Sequence, residues 1–188
     1  MEKILLWINP TEGIADFAVM ENTLREFERN GVASIVVCSD RFEIDHLRGP
    51  LTEIIVIKHS KIPFLSTLIQ NRRIYKALVE ISKIGFPRKI MVDWRVFPAY
   101  ERASRKIRHI RDSKLILEDR SPPSGSSLKS KLQWKLYDWC WNNASKNADY
   151  ANVLVPELER FVKERFTNIG ELNFVITPSG VDTDRFRP

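Results

Sequence analysis

The chain has 188 residues, of which 43% are hydrophobic and 29% charged, a composition typical of a globular domain with a substantial core. No apolar run reaches the roughly 18 residues of a transmembrane helix, and the first residues lack a signal-peptide cleavage site. The net charge of +6 permits binding to nucleic acid, anionic lipid or phosphorylated small molecules without choosing among them. Two cysteines, Cys38 and Cys140, are too few for a disulfide scaffold and indicate reduced thiols in a cytoplasmic protein. The histidines are isolated from one another and predict no metal site: His46, His59 and His109.

Short apolar runs of strand length alternate with longer amphipathic runs. In chain order the pattern predicts strand 3–8, helix 14–30, strands 32–38 and 54–57, helix 64–84, strand 89–92, helix 100–111, strand 115–117, helix 126–147, strand 152–155, helix 156–166 and strand 173–176. Nearly all-apolar strands that alternate with helices are typical of a parallel sheet covered on both faces. The sequence therefore predicts an α/β doubly wound domain, with a mainly parallel sheet and helices on both of its faces.

Ligands of such sheets bind at the carboxyl ends of the strands, so the loops that follow the strands are the candidate sites. The first of these loops contains Thr11, Glu12 and Gly13, and a glycine at a helix start lets backbone N–H groups face an anion. A simple turn glycine explains the same residue. Neither the dinucleotide-binding nor the phosphate-loop glycine motif is present, so no NAD or ATP cofactor is predicted.

The loops after the fourth and fifth predicted strands carry the strongest chemical signal. Arg95 lies in the first of them, and Glu118, Asp119 and Arg120 follow each other in the second. Two adjacent carboxylates beside an arginine suit a group that orients or deprotonates a hydroxyl next to a charge-stabilising cation. A surface turn with a local ion pair is an equally good interpretation of these residues.

The last third of the chain resembles one large family. Residues 147–166 (NADYANVLVPELERFVKERF) and 175–188 (VITPSGVDTDRFRP) follow the order Ala-Asp, apolar strand, short helix, strand, and Gly-Val-Asp with Phe and Pro beyond. This order resembles the retaining glycosyltransferases of the two-domain GT-B fold, family 4 or group 1. The matching positions are Ala148, Asp149, Val153 to Val155, Pro178, Gly180, Val181, Asp182, Phe186 and Pro188.

Four positions depart from the family pattern. The family often has two glycines in the first loop, where this chain has Gly13 alone, and serine and asparagine positions are occupied by Pro156 and Ser179. A histidine near the acceptor in many members corresponds here to Glu118 or Asp119. The role of that histidine is therefore not carried over to this chain, and a carboxylate in its role is a separate hypothesis.

The resemblance implies an N-terminal, acceptor-side domain over residues 1–177 and the start of an interdomain linker over residues 178–188. Gly180 and Asp182 would belong to that linker, and the donor-binding domain would follow it. A piece of a longer enzyme is favoured over a natural split subunit. The chain alone is then expected to be inactive.

The implied reaction transfers a sugar, with retention, from a nucleotide-sugar donor to a hydroxyl of a glycolipid or polysaccharide acceptor, without a cofactor or metal. Asp119 or Glu118 would orient or deprotonate the acceptor hydroxyl, and Gly13 would allow close approach of the donor phosphate or the acceptor. Arg95 and Arg120 would hold anionic acceptor groups or the leaving diphosphate.

The predicted helix 126–147 carries two apolar stripes on nearly opposite sides. The stripe predicted to be core consists of Leu128, Leu132, Leu136 and Trp139. The second stripe consists of Trp134, Tyr137 and Trp141, and lies near Lys131 and Lys135. It predicts contact with lipid headgroups, a lipid-linked acceptor or another domain, and hence attachment to the inner face of the membrane. A helix covered on both sides, with both stripes in the core, is the equally weighted alternative.

Two other classes of function compete with the enzyme. A non-catalytic subunit that anchors or recruits a split glycosyltransferase to the membrane fits the same sequence. A nucleic-acid-binding domain fits only the charge, because no nucleic-acid-binding motif is present, and no nucleic-acid partner is predicted.

Overall fold

The structure, a computed structural model, describes residues 4–10, 14–40, 47–60, 65–85, 87–169 and 171–177. The strands are β1 Ile4–Ile8, β2 Ala33–Ser39, β3 Thr52–Ile57, β4 Lys89–Asp93, β5 Lys114–Asp119, β6 Tyr150–Val153 and β7 Asn173–Ile176. The helices are α1 Ile14–Arg29, α2 Ser66–Ile84, α3 Phe97–Ser104, α4 Arg108–Arg111, α5 Leu128–Asn147 and α6 Pro156–Arg165. A 3₁₀ turn, Trp94–Val96, connects β4 to α3.

Within the described ranges, seven strands form one sheet in the order β3-β2-β1-β4-β5-β6-β7. Every neighbouring pair is parallel. The strand order reverses between β1 and β4, and the loops after these two strands therefore part to opposite sides of the sheet. This reversal is where open α/β sheets bind their ligands.

Helices cover both faces of the sheet, as predicted. On one face, Trp7 of β1 and Met91 of β4 pack with Met20 and Leu24 of α1. The opposite face carries the larger core, in which side chains of α2 to α6 pack against β1, β4, β5 and β6. The doubly wound fold predicted from the sequence is confirmed.

Several element boundaries differ from the prediction, and three of these differences lie near β4 and β5. The stretch predicted as one helix over residues 100–111 is divided into α3 and α4, because Ile107 has extended backbone angles (φ −118°, ψ 109°). Helix α3 also begins earlier than predicted, since Pro98 fits the first turn of a helix. Strand β5 continues to Asp119, so Glu118 and Asp119 are strand residues and not loop residues.

The orientation of α5 is the reverse of the predicted one. Tyr137 and Trp141 are fully buried and Trp134 packs against the core, whereas Leu128 and Leu132 are 72% and 56% exposed. Leu136 packs partly against the core, and Trp139 is 37% exposed. The predicted lipid contact through Tyr137 and Trp141 is therefore wrong.

The reason for this reversal is a buried hydrogen-bond acceptor. The Tyr137 hydroxyl and the Trp141 indole N–H both donate to Asp119 at the end of β5. Leucine has no group that could satisfy a buried carboxylate, so the aromatic face turns inward. Among the described residues, no helix is both long enough and apolar enough to cross a membrane.

Candidate functional site

Charged side chains converge at the carboxyl ends of β4 and β5, beside the reversal of strand order. Asp93 ends β4, Glu118 and Asp119 end β5, and Arg95 and Arg120 follow directly. All three carboxylates are fully buried, and Arg120 is 8% exposed. Burying so many charges is costly unless each one is paired or hydrogen-bonded, so their partners decide what the cluster can do.

Glu118 is surrounded by three donors. Its Oε2 accepts hydrogen bonds from Trp7 Nε1 at 2.7 Å and Asn9 Nδ2 at 3.1 Å, and its Oε1 accepts one from Arg120 Nε at 2.7 Å. Burial raises the pKa of Glu118, while Arg120 and the Trp7 N–H act in the opposite direction. With both oxygens engaged, Glu118 holds the Arg120 guanidinium in place.

The Arg120 guanidinium lies 5.5 Å from the centre of the Trp7 ring. Its Nε is engaged by Glu118, but its Nη1 is buried and has no hydrogen-bond partner within the part of the chain that the structure describes. A buried guanidinium N–H without a partner is costly, and an anionic ligand oxygen would relieve that cost.

Arg95 is held by a second carboxylate. Asp93 accepts hydrogen bonds from the Arg95 backbone N–H and from Arg95 Nη1, both at 2.8 Å. Arg95 Nη2 donates to Ser121 Oγ at 3.2 Å, and the guanidinium lies 4.8 Å from the centre of the Trp94 ring. The side chain of Arg95 is 34% exposed, so this fixed guanidinium is accessible to a ligand from solvent.

Asp119 has a different environment. Its Oδ2 accepts from the Tyr137 hydroxyl at 2.6 Å and from Trp141 Nε1 at 3.1 Å. Its Oδ1 is buried and has no hydrogen-bond partner among the described residues. Burial raises the pKa of Asp119 to about 6, in spite of the Tyr137 hydrogen bond that favours the ionised form.

The structure thus brings together four of the residues singled out in the sequence: Arg95, Glu118, Asp119 and Arg120. Lys131 and Lys135 are exposed on α5 and take no part in this cluster. Five other predicted site residues lie outside the described residues: Thr11, Glu12, Gly13, Gly180 and Asp182.

Sequence reasoning missed most of the partners. Trp7 looks like an ordinary core residue in an apolar strand, and Asn9, Asp93 and Trp94 lie in loops predicted to hold the site but had no role assigned to them. Only the position of Asn9 and Asp93, each directly after an apolar run at a strand end, could have indicated a role. Within the described ranges, no group of three or more His, Cys, Asp or Glu side chains could hold a metal ion.

The raised pKa of Asp119 predicts an unusual pH dependence of stability. A proton bound more tightly in the folded state stabilises the fold at low pH, and this contribution is lost as pH rises through about 6. Relative to an unfolded pKa near 3.8, the loss amounts to about 3 kcal/mol. Urea denaturation of the wild type and of Asp119→Asn between pH 4 and pH 7.5 measures it. We expect the wild type to lose stability relative to the variant as pH rises, and parallel curves would contradict the assignment.

Several solved structures with a similar fold are glycosyltransferases. The chain aligns with Phytolacca americana UGT2 complexed with UDP-2-fluoro-glucose and pterostilbene at a TM-score of 0.64 and 11% identity, covering 97% of this chain and 56% of that one. A UGT transferase from Siraitia grosvenorii in complex with UDP aligns at a TM-score of 0.58 and 11% identity, covering 93% of this chain and 50% of that one. CalG4, the calicheamicin glycosyltransferase, aligns at a TM-score of 0.58 and 14% identity, covering 95% of this chain and 53% of that one.

At these identities the likeness establishes the fold, which is that of one Rossmann-like half of a GT-B glycosyltransferase. The chain spans about half the length of the solved structures that it matches. No protein-family model matches the chain, and no curated protein matches its sequence.

Proposed function

We propose that the chain is the acceptor-side domain of a two-domain glycosyltransferase of the group 1 type. The enzyme transfers a sugar from a nucleotide-sugar donor to a hydroxyl of a glycolipid or polysaccharide acceptor, with retention of configuration. The observation that carries the proposal is the pair of fixed guanidiniums, Arg95 and Arg120, at the strand-order reversal of a GT-B-like sheet. No further cofactor is required, because the nucleotide sugar is itself the activated substrate.

The two arginines differ in the role that we assign to them. Arg95 is accessible and fixed on two sides, by Asp93 and Ser121, so it suits direct contact with the leaving diphosphate or an anionic acceptor group. Arg120 lies deeper, and its Nη1 provides a donor for an oxygen that enters the cleft. Preorganised donors of this kind stabilise charge that develops in the transition state.

The buried carboxylates receive positioning roles. Glu118 and Asp119 are fully buried, and neither lies at the surface where an acceptor hydroxyl could approach it. Glu118 fixes Arg120, and Asp119 joins β5 to the inward face of α5. The role in hydroxyl deprotonation predicted from the sequence would require either side chain to leave these partners.

Donor recognition is assigned mainly to a second domain. The matched glycosyltransferases are about twice as long as this chain, and two of them were solved with UDP or a UDP sugar. We therefore propose that residues 178–188 begin the linker, and that Gly180 and Asp182 lie at the cleft between the domains. The chain alone should bind nucleotide sugars weakly and transfer none.

Replacing Arg95 by Gln in the two-domain enzyme tests this assignment. Loss of one preorganised donor commonly lowers kcat by about 10²–10³-fold, and we expect a decrease of that order in kcat/KM. Arg102→Gln is the matched control, since Arg102 also lies over an aromatic ring, Tyr75, at 4.8 Å but on α3. Thermal denaturation of both variants verifies folding. A folded Arg95→Gln variant with wild-type kcat/KM would remove Arg95 from the site.

A further inference from the structure

The outer face of α5 carries a strip of exposed apolar side chains. Leu128 is 72% exposed, Leu132 56% and Trp139 37%. With 100° of rotation per residue, these three side chains project within about 40° of one another, along about 16 Å of helix. This outer strip lies opposite the buried face formed by Tyr137, Trp141 and their neighbours.

The surroundings of the outer strip are basic. Four exposed lysines lie on the same helix: Lys129, Lys131, Lys135 and Lys146. Lys135 and Lys146 project along the strip, and Lys131 lies at its margin. The only acidic residue in the α5 sequence is Asp138, and it is engaged by Arg165 through two hydrogen bonds of 2.7 and 3.0 Å. The helix therefore presents apolar groups in a positively charged setting.

We propose that the outer strip and its lysines dock on an anionic lipid bilayer, with α5 lying parallel to the surface. The leucines and Trp139 would enter the interface, and the lysines would reach the headgroups with their aliphatic stems over apolar surface. The charge of α5 and the net charge of +6 select a negatively charged partner rather than an uncharged apolar one.

Docking on this face requires no rearrangement of the domain. The inward face of α5 keeps its hydrogen bonds to Asp119, and its aromatic rings stay packed against Phe166 and Phe174. The lipid contact is thus assigned to the leucines of the outer strip, and not to the buried aromatic residues that the sequence suggested. The inference goes beyond sugar transfer and does not depend on it, because lipid binding is measured without a donor or acceptor.

Cosedimentation with vesicles tests the proposal. The probes are vesicles of phosphatidylglycerol mixed with phosphatidylcholine, and vesicles of phosphatidylcholine alone, at increasing salt. We expect the wild type to sediment with the anionic vesicles at low salt and to be released as salt rises. Each lysine at the surface contributes about five-fold to partitioning, so Lys131→Glu/Lys135→Glu should weaken it by at least about 25-fold.

Two further variants separate insertion from charge. Leu128→Ser/Leu132→Ser alters only exposed side chains and should lower partitioning without loss of folding, which circular dichroism verifies. Lys76→Glu/Lys106→Glu makes the same change in net charge at exposed positions outside α5 and should keep most of the binding.

Three results would overturn the proposal. The first is failure of the wild type to sediment with anionic vesicles, and the second is equal loss of binding in both charge variants. The third is a concentration-dependent dimer that Leu128→Ser/Leu132→Ser dissociates while lipid binding is absent. In that case the outer strip is an interface between copies of the chain.

Discussion

Replacing Trp141 by alanine should lower the free energy of unfolding by about 3–5 kcal/mol, because the side chain is fully buried in the larger core. Its ring stacks on Phe166 and Phe174, with centroids 6.0 and 6.1 Å away, and its N–H donates to Asp119. The variant therefore loses packing, leaves a cavity and removes one of two donors from a buried carboxylate.

Leu132→Ala is the matched control on the same helix. This leucine is 56% exposed, and surface substitutions generally change stability by less than about 0.5 kcal/mol. Urea denaturation of both variants measures the difference in their free energies of unfolding, if the slope of that free energy against urea concentration is the same in both. Similar stabilities of the two variants, or a more damaging change at Leu132, would contradict the orientation of α5.

Replacing Glu118 by Gln should be equally damaging, at about 3–5 kcal/mol, because removal of one partner from a buried ion pair leaves the other charge without compensation. Glu118 and Arg120 have side chains that are 0% and 6% exposed. In the variant, the new amide can still accept from Trp7 and Asn9, but the Arg120 guanidinium loses its counter-charge.

The double variant Glu118→Gln/Arg120→Met identifies the cause of that loss. Methionine removes the unpaired charge and occupies the space above the Trp7 ring, so the double variant should be more stable than Glu118→Gln alone. Chemical denaturation of the wild type, both single variants and the double variant completes the cycle. If the destabilisation of the double variant equals the sum for Glu118→Gln and Arg120→Met, the two residues do not act as a pair.

The fold could be predicted from the sequence because buried parallel strands require nearly continuous apolar runs, and turns require Gly and Pro. The runs that form β1, β2 and β4 are of this kind, and their alternation with amphipathic helices leaves few other architectures. The end of β5 was missed because Glu118 and Asp119 are charged. A strand can continue through buried carboxylates when distant residues such as Trp7 and Tyr137 donate to them.

The orientation of α5 could not be predicted from helical periodicity. Both stripes satisfy the spacing of an amphipathic helix, and hydrophobicity alone ranks leucine at least as high as tyrosine or tryptophan. The deciding contact joins Asp119 to side chains 18 and 22 positions later in the chain, and such a contact depends on the packing of α5 against β5.

The two arginines of the cleft, and not the carboxylate pair, therefore carry the proposed function. Arg95 combines a fixed geometry, a buried counter-ion and a partly exposed side chain, which are properties that suit recognition of a diphosphate. Arg120, which directly follows the neighbouring strand β5, adds a buried donor, its Nη1.

The most direct test of the account is a transfer assay with the complete two-domain enzyme. Radiolabelled nucleotide sugars are supplied as donors with lipid and glycan extracts as acceptors, and the chain of residues 1–188 is assayed in parallel. We predict transfer by the complete enzyme, with retained configuration at the transferred sugar and a strong dependence on Arg95, and none by residues 1–188 alone. Transfer by residues 1–188 alone, or a complete enzyme that neither binds nor consumes any nucleotide sugar, would contradict the proposed function.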